Sequence, residues 1–326
     1  MKTDTINVFM ASDENYASIT DIAIISMLEN TKSNVNIFLI NNAISDESRK
    51  KIEYTVSRYQ NAKIEFLDID INKYFSGFKT WQHVSLTAFA RLLIPWLKPK
   101  LNRAIWVDGD VIFMDDVSKL YNQDLGGFAI GAAKAIEIGN DLKTKFYSLL
   151  DLNKQHTYFN SGVLLMDCKK MREDKNLPDG FFEIERKYPK HLCADQDILN
   201  KYFENNYKRL EQRFNVTCCG KDVFENENEY TDTMKNMVIR HFIGAEKPNN
   251  SINSISTTHL ASYYKFWDYA QNSQFFGDFI IKLFRKYGYE ARKKWINLFG
   301  FIPFLKIKNN KVLLFGALPI ITLKDC

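Results

Sequence analysis

The chain has 326 residues, 45% of them hydrophobic and 25% charged, with 14 glycines and 7 prolines. That is the make-up of a soluble globular protein with room for one large domain or two modest ones. The formal charge of +5 resides in the last stretch, since Ala270 to Cys326 carries a net +7 and the remainder a net −2. A main domain without basic excess argues against nucleic acid as a partner. Five cysteines with no CxxC pair argue against a disulfide framework and a zinc site, and are read as reduced thiols in a cytoplasmic protein. The N-terminal MKTDTINVFM has no basic region followed by a long apolar stretch, so no signal peptide is expected. No run reaches the ~18 apolar residues needed to span a bilayer.

In chain order, Ile6–Ala11 is apolar and β-branched enough for a buried strand, and Tyr16–Asn30 has helical spacing. Asn36–Ile40 reads as a strand, Asp46–Tyr59 as a helix that Ser45 can cap, and Lys63–Leu67 as a further strand. This βαβαβ order implies right-handed crossovers and a mostly parallel sheet. Leu86–Leu97 reads as a buried helix stopped by Pro99, and Ala104–Val107 as a short strand. Gly162–Met166 and Met237–Arg240 read as strands, Asp197–Glu204 as a helix, and Glu246–Thr258 as a polar loop. After Phe266 the texture changes. Phe276, Phe279, Ile280, Leu283, Phe284 and Tyr287 fall on one helical face, which Trp295, Leu298, Phe299 and Ile302 extend. Lys306–Phe315 reads as a hairpin turning at Asn309-Asn310.

Two carboxylates, Asp108 and Asp110, follow the strand Ala104–Val107, where ligands bind in open α/β sheets. Asp is poor in strands and costly to bury unless it is paired or bound to a cation. Aspartates one residue apart can both reach one divalent ion, and hard oxygens suit magnesium or manganese. Alone, D-x-D equally describes a solvated turn, and Asp115-Asp116 nearby reads as a turn or a helix cap. ASDENY after the first strand offers polar groups for a base or ribose, or an ordinary capped turn. NSG at 160–162 precedes an apolar strand, and ADQD at 194–197 packs two acids and an amide into four residues, as a helix N-terminus also does. His241 ends a strand and is followed by Gly244 and Lys247-Pro248, a set able to complete a metal and phosphate site.

Taken together, VFMASDENYA, LTAFARLLIPWL, AIWVDGDVIF, YFNSGVLLMD with ADQDILN, and HFIGAEKP stand in the order of a known family. From Asn7 to Pro248 the chain resembles the retaining glycosyltransferases of family 8, which include bacterial lipopolysaccharide galactosyl- and glucosyltransferases and, more distantly, glycogenin. The resemblance implies an α/β fold of GT-A type: a Rossmann-like, mostly parallel mixed sheet flanked by helices, with a basic amphipathic C-terminal extension. Residues 1–265 would form the nucleotide-sugar domain and 266–326 the extension. It implies that Asp108, Asp110 and His241 hold Mn2+, or Mg2+, against the diphosphate of a UDP-sugar. Asp13, Asn15 and Tyr16 would contact uridine and ribose, and Arg91 the sugar or diphosphate. Gly109, Gly244 and Lys247 would also touch the donor, the last two at its phosphates. Asn160, Asp195 and Gln196 would line the donor sugar, with Gln196 beneath the anomeric carbon. Gln196 is a poor nucleophile, so front-face attack through an oxocarbenium-like state is expected rather than a covalent intermediate. One departure is Asn249, where the family often has Trp after Lys-Pro; it bears on the acceptor side or loop closure.

The activity implied is transfer of glucose or galactose from a UDP-hexose to a saccharide acceptor, lipid-linked as in lipopolysaccharide core or another surface glycan. Basic residues beside Phe, Trp and Ile in the extension suit the interface of an anionic membrane, which places the protein on the cytoplasmic face as a peripheral enzyme. The alternative is a C-terminal helix packed on the catalytic domain. Two other readings are a non-catalytic membrane-surface adaptor with the same fold and a sugar nucleotidyltransferase. The latter needs a Gly-rich, Lys- or Arg-bearing loop after the first strand, and ASDENYASIT has neither feature.

Overall fold

The computed structural model describes residues 5–79, 86–136, 138–190, 192–244, 247–248 and 260–282, and the backbone of four strands between 296 and 322. The strands of the main body are β1 (Ile6–Asp13), β2 (Val35–Asn42), β3 (Ala62–Asp68), β4 (Arg103–Val107), β5 (Val111–Phe113), β6 (Ile130–Lys134), β7 (Phe159–Asp167), β8 (Lys208–Arg209) and β9 (Ile239–His241). Seven of them form one sheet in the order β3-β2-β1-β4-β7-β6-β8. β3, β2, β1 and β4 run parallel, joined by helices, as the βαβαβ pattern requires. β7 then enters antiparallel beside β4, with Val107 opposite Val163, and β6 is antiparallel to β7. The sheet is therefore mixed, with its parallel half first in the chain.

The buried strands carry near-continuous apolar runs because helices cover both faces. β7 is buried from Phe159 to Met166, whereas edge strand β3 has only half-buried and exposed residues, alternating from Ala62 to Phe66. On one face, helix Ala17–Asn30 is buried over most of its surface, lodged between the sheet, helix Asp46–Ser57 and helix Leu260–Ala270. On the other, Phe9, Phe89, Trp106, Phe159 and Phe181 form a second core. Ser45 caps helix Asp46–Ser57 through the Ser48 N–H, as expected from its sequence.

Leu86–Leu97 is not one α-helix. It is a 3-10 helix over Leu86–Leu93 followed by a single α-turn, Ile94–Leu97. Pro95 has no N–H to return to the Arg91 carbonyl, so the α ladder cannot run through it.

The end of the chain also differs from the helical reading. Helix Leu260–Ala270 spans position 265/266, and Phe266, Tyr269, Phe275 and Phe279 are buried in the same core as helix Ala17–Asn30. Residues 276–282 are helical, with Phe279 buried and Phe276 and Ile280 partly so. The main body thus runs through the expected domain boundary at least to Phe279. Beyond it, β10 (Ile296–Leu298), β11 (Ile302–Lys308), β12 (Lys311–Leu314) and β13 (Leu318–Thr322) form an antiparallel sheet in sequence order. Leu298 and Ile302, expected on a helix face, instead pair with each other across β10 and β11. β-Branched runs such as IPFLKIK and LPIIT favour strands. β11 and β12 pair antiparallel as the expected hairpin requires, with Lys308 opposite Lys311, while Asn309 and Asn310 lie outside the described residues. Leu283, Phe284, Tyr287, Trp295, Phe299 and Asn249 lie outside the described residues.

Candidate active site and metal centre

β4 ends at Val107 and β5 begins at Val111, so Asp108, Gly109 and Asp110 form the corner between two buried strands. β9 pairs with β5 and sets His241 opposite Val111. One ligand atom each from Asp108, Asp110 and His241 then lie within 4.8 Å of one another. The His241 Nε2 is 3.2 Å from Asp110 and 3.8 Å from Asp108. Two carboxylates and an imidazole are a donor set for a divalent cation. The backbone fixes the corner from both sides: the Asp108 N–H donates to the Gly162 carbonyl and the Phe242 N–H to that of Asp110, each at 2.8 Å.

Glycine is required at two points here. A Cβ on Gly162 would stand 2.2 Å from His241 Cε1 and 2.7 Å from Asp108 Oδ2, so any side chain would fill the metal cradle. At Gly109, expected to touch the donor, a Cβ would meet the Thr20 hydroxyl at 2.6 Å; close packing on helix Ala17–Asn30 is its demand in this structure.

Behind the histidine lies a chain of amides. His241 Nδ1 is 3.0 Å from Asn215 Oδ1, Asn215 Nδ2 donates to Asn160 Oδ1 at 2.8 Å, and that oxygen also accepts the Gly162 N–H. With Nδ1–H donating to Asn215, Nε2 is the ring nitrogen turned towards the carboxylates, the one a metal ion would take. Asn160, expected at the donor sugar, here orients His241 through Asn215. Asn215 sits in RFNVTCC, which carries no local signal of a site.

Arg91 takes a different part from the one its sequence position implies. It is 4% exposed, and its guanidinium lies 4.6 Å above the Trp106 ring. It donates to Asp108 at 2.8 Å, to the Ser161 carbonyl and hydroxyl at 2.6 and 3.0 Å, and to the Ala88 carbonyl, and its Nε pairs with Asp195 at 3.0 Å. Those donors go to protein groups, so Arg91 here braces two acids instead of reaching into the cleft. Trp106 Nε1 donates to Asp108 as well. Burial pushes the Asp195 carboxyl up to about 6, against the pull of Arg91.

On the open side, Lys247 Nζ lies 2.6 Å from both Asp110 Oδ2 and the Tyr16 hydroxyl. Burial opposes ionisation of Asp110, yet His241 and Lys247 hold its carboxyl well below the usual range. Lys247 is held above its own usual value by Asp110 and Tyr16, although burial works the other way. Asp13 Oδ1 accepts the Tyr16 N–H and closes the strand-to-helix turn that ASDENY allowed, although Tyr16, at the head of helix Ala17–Asn30, makes no side-chain cap. Glu14 is spent on Ser45 and Ser48 at the head of helix Asp46–Ser57. Asn15 is exposed. Gly244 is exposed at φ +65°, a left-handed position that suits glycine. Asp116 accepts the Ser118 N–H, the turn rather than the helix cap of the two roles open to it, since the cap position of the short helix is Val117.

ADQD opens helix Asp195–Tyr202. Ala194 precedes it at φ 49°, ψ −121°, strained for a side chain with a Cβ, in a turn closed by the Gln196 N–H on the Cys193 carbonyl. Gln196 Oε1 accepts the Ser161 N–H at 3.0 Å, and Asp195 accepts the Ser161 hydroxyl at 2.9 Å. Asp197 points the other way and is 0% exposed. The structure thus gathers Asp108, Asp110, His241, Asn160, Arg91, Asp195, Gln196, Lys247 and Tyr16 into one linked polar cluster. Asn215 joins it from a stretch without a motif, and Trp106 and Ser161 join it from inside AIWVDGDVIF and NSG, where neither was expected to act.

A sequence model described as glycosyl transferase family 8 matches residues 7–253. Among curated proteins, the chain is 27% identical to general stress protein A of Bacillus subtilis, over 77% of this chain and 89% of that protein. It is 26% identical to a lipopolysaccharide 1,2-glucosyltransferase of Escherichia coli, over 75% and 73%. Among solved structures, the galactosyltransferase LgtC, in complex with donor and acceptor sugar analogues, superposes with a TM-score of 0.70 at 22% identity, covering 82% of this chain and 96% of that one.

Proposed function

The chain belongs to glycosyl transferase family 8, and from that premise we propose that it moves a hexose, glucose or galactose, from a UDP-sugar to a saccharide acceptor with retention of anomeric configuration. One observation carries this reading: Asp108, Asp110 and His241, from segments over 130 residues apart, meet within 4.8 Å at the exit of β4. These residues would hold Mn2+, with Mg2+ the alternative. A divalent ion there supplies positive charge that offsets the donor diphosphate and the charge developing on departing UDP.

The chain's own groups do the rest. Lys247 carries a positive charge beside Asp110, with exposed Gly244 near it in sequence, and both would serve the phosphates. Tyr16, Asp13 and Asn15 border the end of β1 and would take uridine and ribose. Gln196 and Asp195 would line the hexose, with Asn160 supporting His241 behind it. Asp195 is tied to Arg91 and Ser161, and Gln196 is an amide. Neither is a free strong nucleophile, which supports front-face attack by the acceptor hydroxyl over a covalent intermediate. Incubation with Mn2+ and a panel of UDP-hexoses should give slow UDP release from at least one. Absence of both binding and hydrolysis for all of them sinks the proposal.

The acceptor would be lipid-linked, reached from the cytoplasmic face of the membrane. The support is the excess of basic residues after Phe279, among apolar strands, and the lipopolysaccharide acceptor in a relative's name. No helix among the described residues is long and apolar enough to cross a membrane. Because Phe275 and Phe279 belong to the core, the test is truncation after Lys282. The shortened chain should leave anionic vesicles while keeping donor hydrolysis; undiminished vesicle binding would show that the tail is not the anchor.

A further inference from the structure

Behind Gln196, on the side away from the metal ligands, lies a buried group that the transfer reaction does not yet use. Tyr158 is stacked on Phe146 with ring centroids 5.3 Å apart, and its hydroxyl donates to Asp197 Oδ1. Asp197 Oδ2 accepts the N–H groups of Leu192 and Cys193, both at 2.7 Å. A carboxylate that accepts this many hydrogen bonds is held in its ionised form. The phenol must therefore be the donor, and burial beside Asp197 keeps it protonated. With its proton committed, the Tyr158 oxygen can only accept from its remaining neighbour, Gln196 Nε2 at 3.4 Å.

The Gln196 amide is thereby read from both ends. Oε1 faces the Ser161 N–H and Nε2 faces a lone pair of Tyr158. Turned over, it would set N–H against N–H at Ser161 and oxygen against oxygen at Tyr158, and both hydrogen bonds would be lost. We infer that Tyr158 and Asp197 are positioning residues that lock the orientation of the Gln196 amide, so that its carbonyl oxygen, not its NH2, stays on the Ser161 side of the sugar pocket. A carbonyl oxygen held there is a partial negative charge beside a centre that becomes oxocarbenium-like, and it costs no reorganisation at the moment of transfer. The same Asp197 also clamps the strained turn at Ala194 through Oδ2, so one carboxylate sets both the backbone and the amide of the catalytic segment. This inference rests on the hexosyltransfer reading only for its catalytic consequence; the orientation of the amide stands apart from it.

The test uses the full-length protein and two readouts. Without any donor, hydrogen exchange of the Gln196 side-chain amide, assigned by its loss in Gln196→Ala, should quicken about tenfold in Tyr158→Phe. With the active UDP-hexose and Mn2+, Tyr158→Phe should lower kcat about tenfold at unchanged donor KM, and should lower nothing further in the Gln196→Ala background. Asp197→Asn is the second variant: with its carbonyl oxygen in the place of Oδ2 it keeps the acceptor for both backbone N–H groups, and with its NH2 in the place of Oδ1 it reverses the bond to Tyr158, with the same losses expected. Unchanged amide exchange overturns the lock. Quickened exchange with unchanged kcat, or losses that multiply in the double variant, overturns its role in catalysis. A wild-type chain inert towards every UDP-hexose would defeat the functional reading while the exchange readout still judges the lock.

Discussion

Two regions of this molecule bury aspartates, and they treat them in opposite ways. At the exit of β4, Asp108 and Asp110 stand among Arg91, Lys247 and His241. Asp110 stays ionised there in spite of burial. In the seam between helix Ala17–Asn30 and the segment around Ser273, Asp21 is 0% exposed and faces hydroxyls: Ser273 at 2.5 Å and Thr55 on its other side. Burial outweighs these hydroxyls and the charge of Arg58, pushing the acid up to about 6. At Asp21 burial dominates, and the acid keeps its proton up to about pH 6 while it ties two elements together. At Asp110 the cations outweigh burial and leave charged oxygens poised for a metal ion.

The sharpest way to break the comparison is Asp110→Ala. Turnover should vanish, with far-UV circular dichroism unchanged, because the side chain sits at a strand corner whose backbone bonds remain. Retained turnover would leave the metal reading without its centre. It also separates a catalyst from a non-catalytic adaptor, which would keep its partner binding. Next comes Gly162→Ala. Its Cβ falls 2.2 Å from His241 Cε1, so the ring must move. Mn2+ affinity should drop by at least an order of magnitude, and stability by roughly 1–3 kcal/mol, the usual cost of overpacking. Isothermal titration and thermal melts read both, and a variant that binds Mn2+ normally would show the cradle is looser than the structure has it.

How much of this was written locally in the sequence follows from the range of each interaction. β1, β2, β3 and β4 are apolar, β-branched runs, and each was legible. β6 (IGAAK) and β8 (two residues) were not, because small residues and short strands carry little intrinsic preference. The antiparallel entry of β7 beside β4 is a long-range pairing that no local pattern encodes. The same division holds in the site. D-x-D and the strand-end histidine stand out because charge at an apolar strand's end is rare. The bracing role of Arg91, and the whole part of Asn215, depend on which neighbours the fold supplies. The tail misled for the opposite reason: its apolar residues satisfy helical spacing near Phe276–Tyr287, but farther on alternate in strands.

The smallest effect expected belongs to the quiet acid. Asp21→Asn is isosteric: its oxygen can accept from Ser273 as Asp21 Oδ2 does, and its NH2 takes the place of Oδ1, which among the described residues makes no hydrogen bond. The folded chain holds a proton on Asp21 up to about pH 6, whereas the unfolded chain releases it near pH 4. Between those values the native state binds more protons, so wild-type stability falls as pH rises, and the cost is full above pH 6. The variant titrates no proton there. It should match wild type near pH 4 and exceed it at pH 8 by on the order of 1–3 kcal/mol, since each tenfold difference in proton affinity between folded and unfolded chain is worth about 1.4 kcal/mol. Arg58 and Tyr59 flank the site, but both are present in the two proteins and largely cancel in the difference. Denaturant unfolding at the two pH values measures it directly. A variant that is less stable at pH 8 would mean that Asp21 is charged and paired after all, and that the seam and the site obey the same rule.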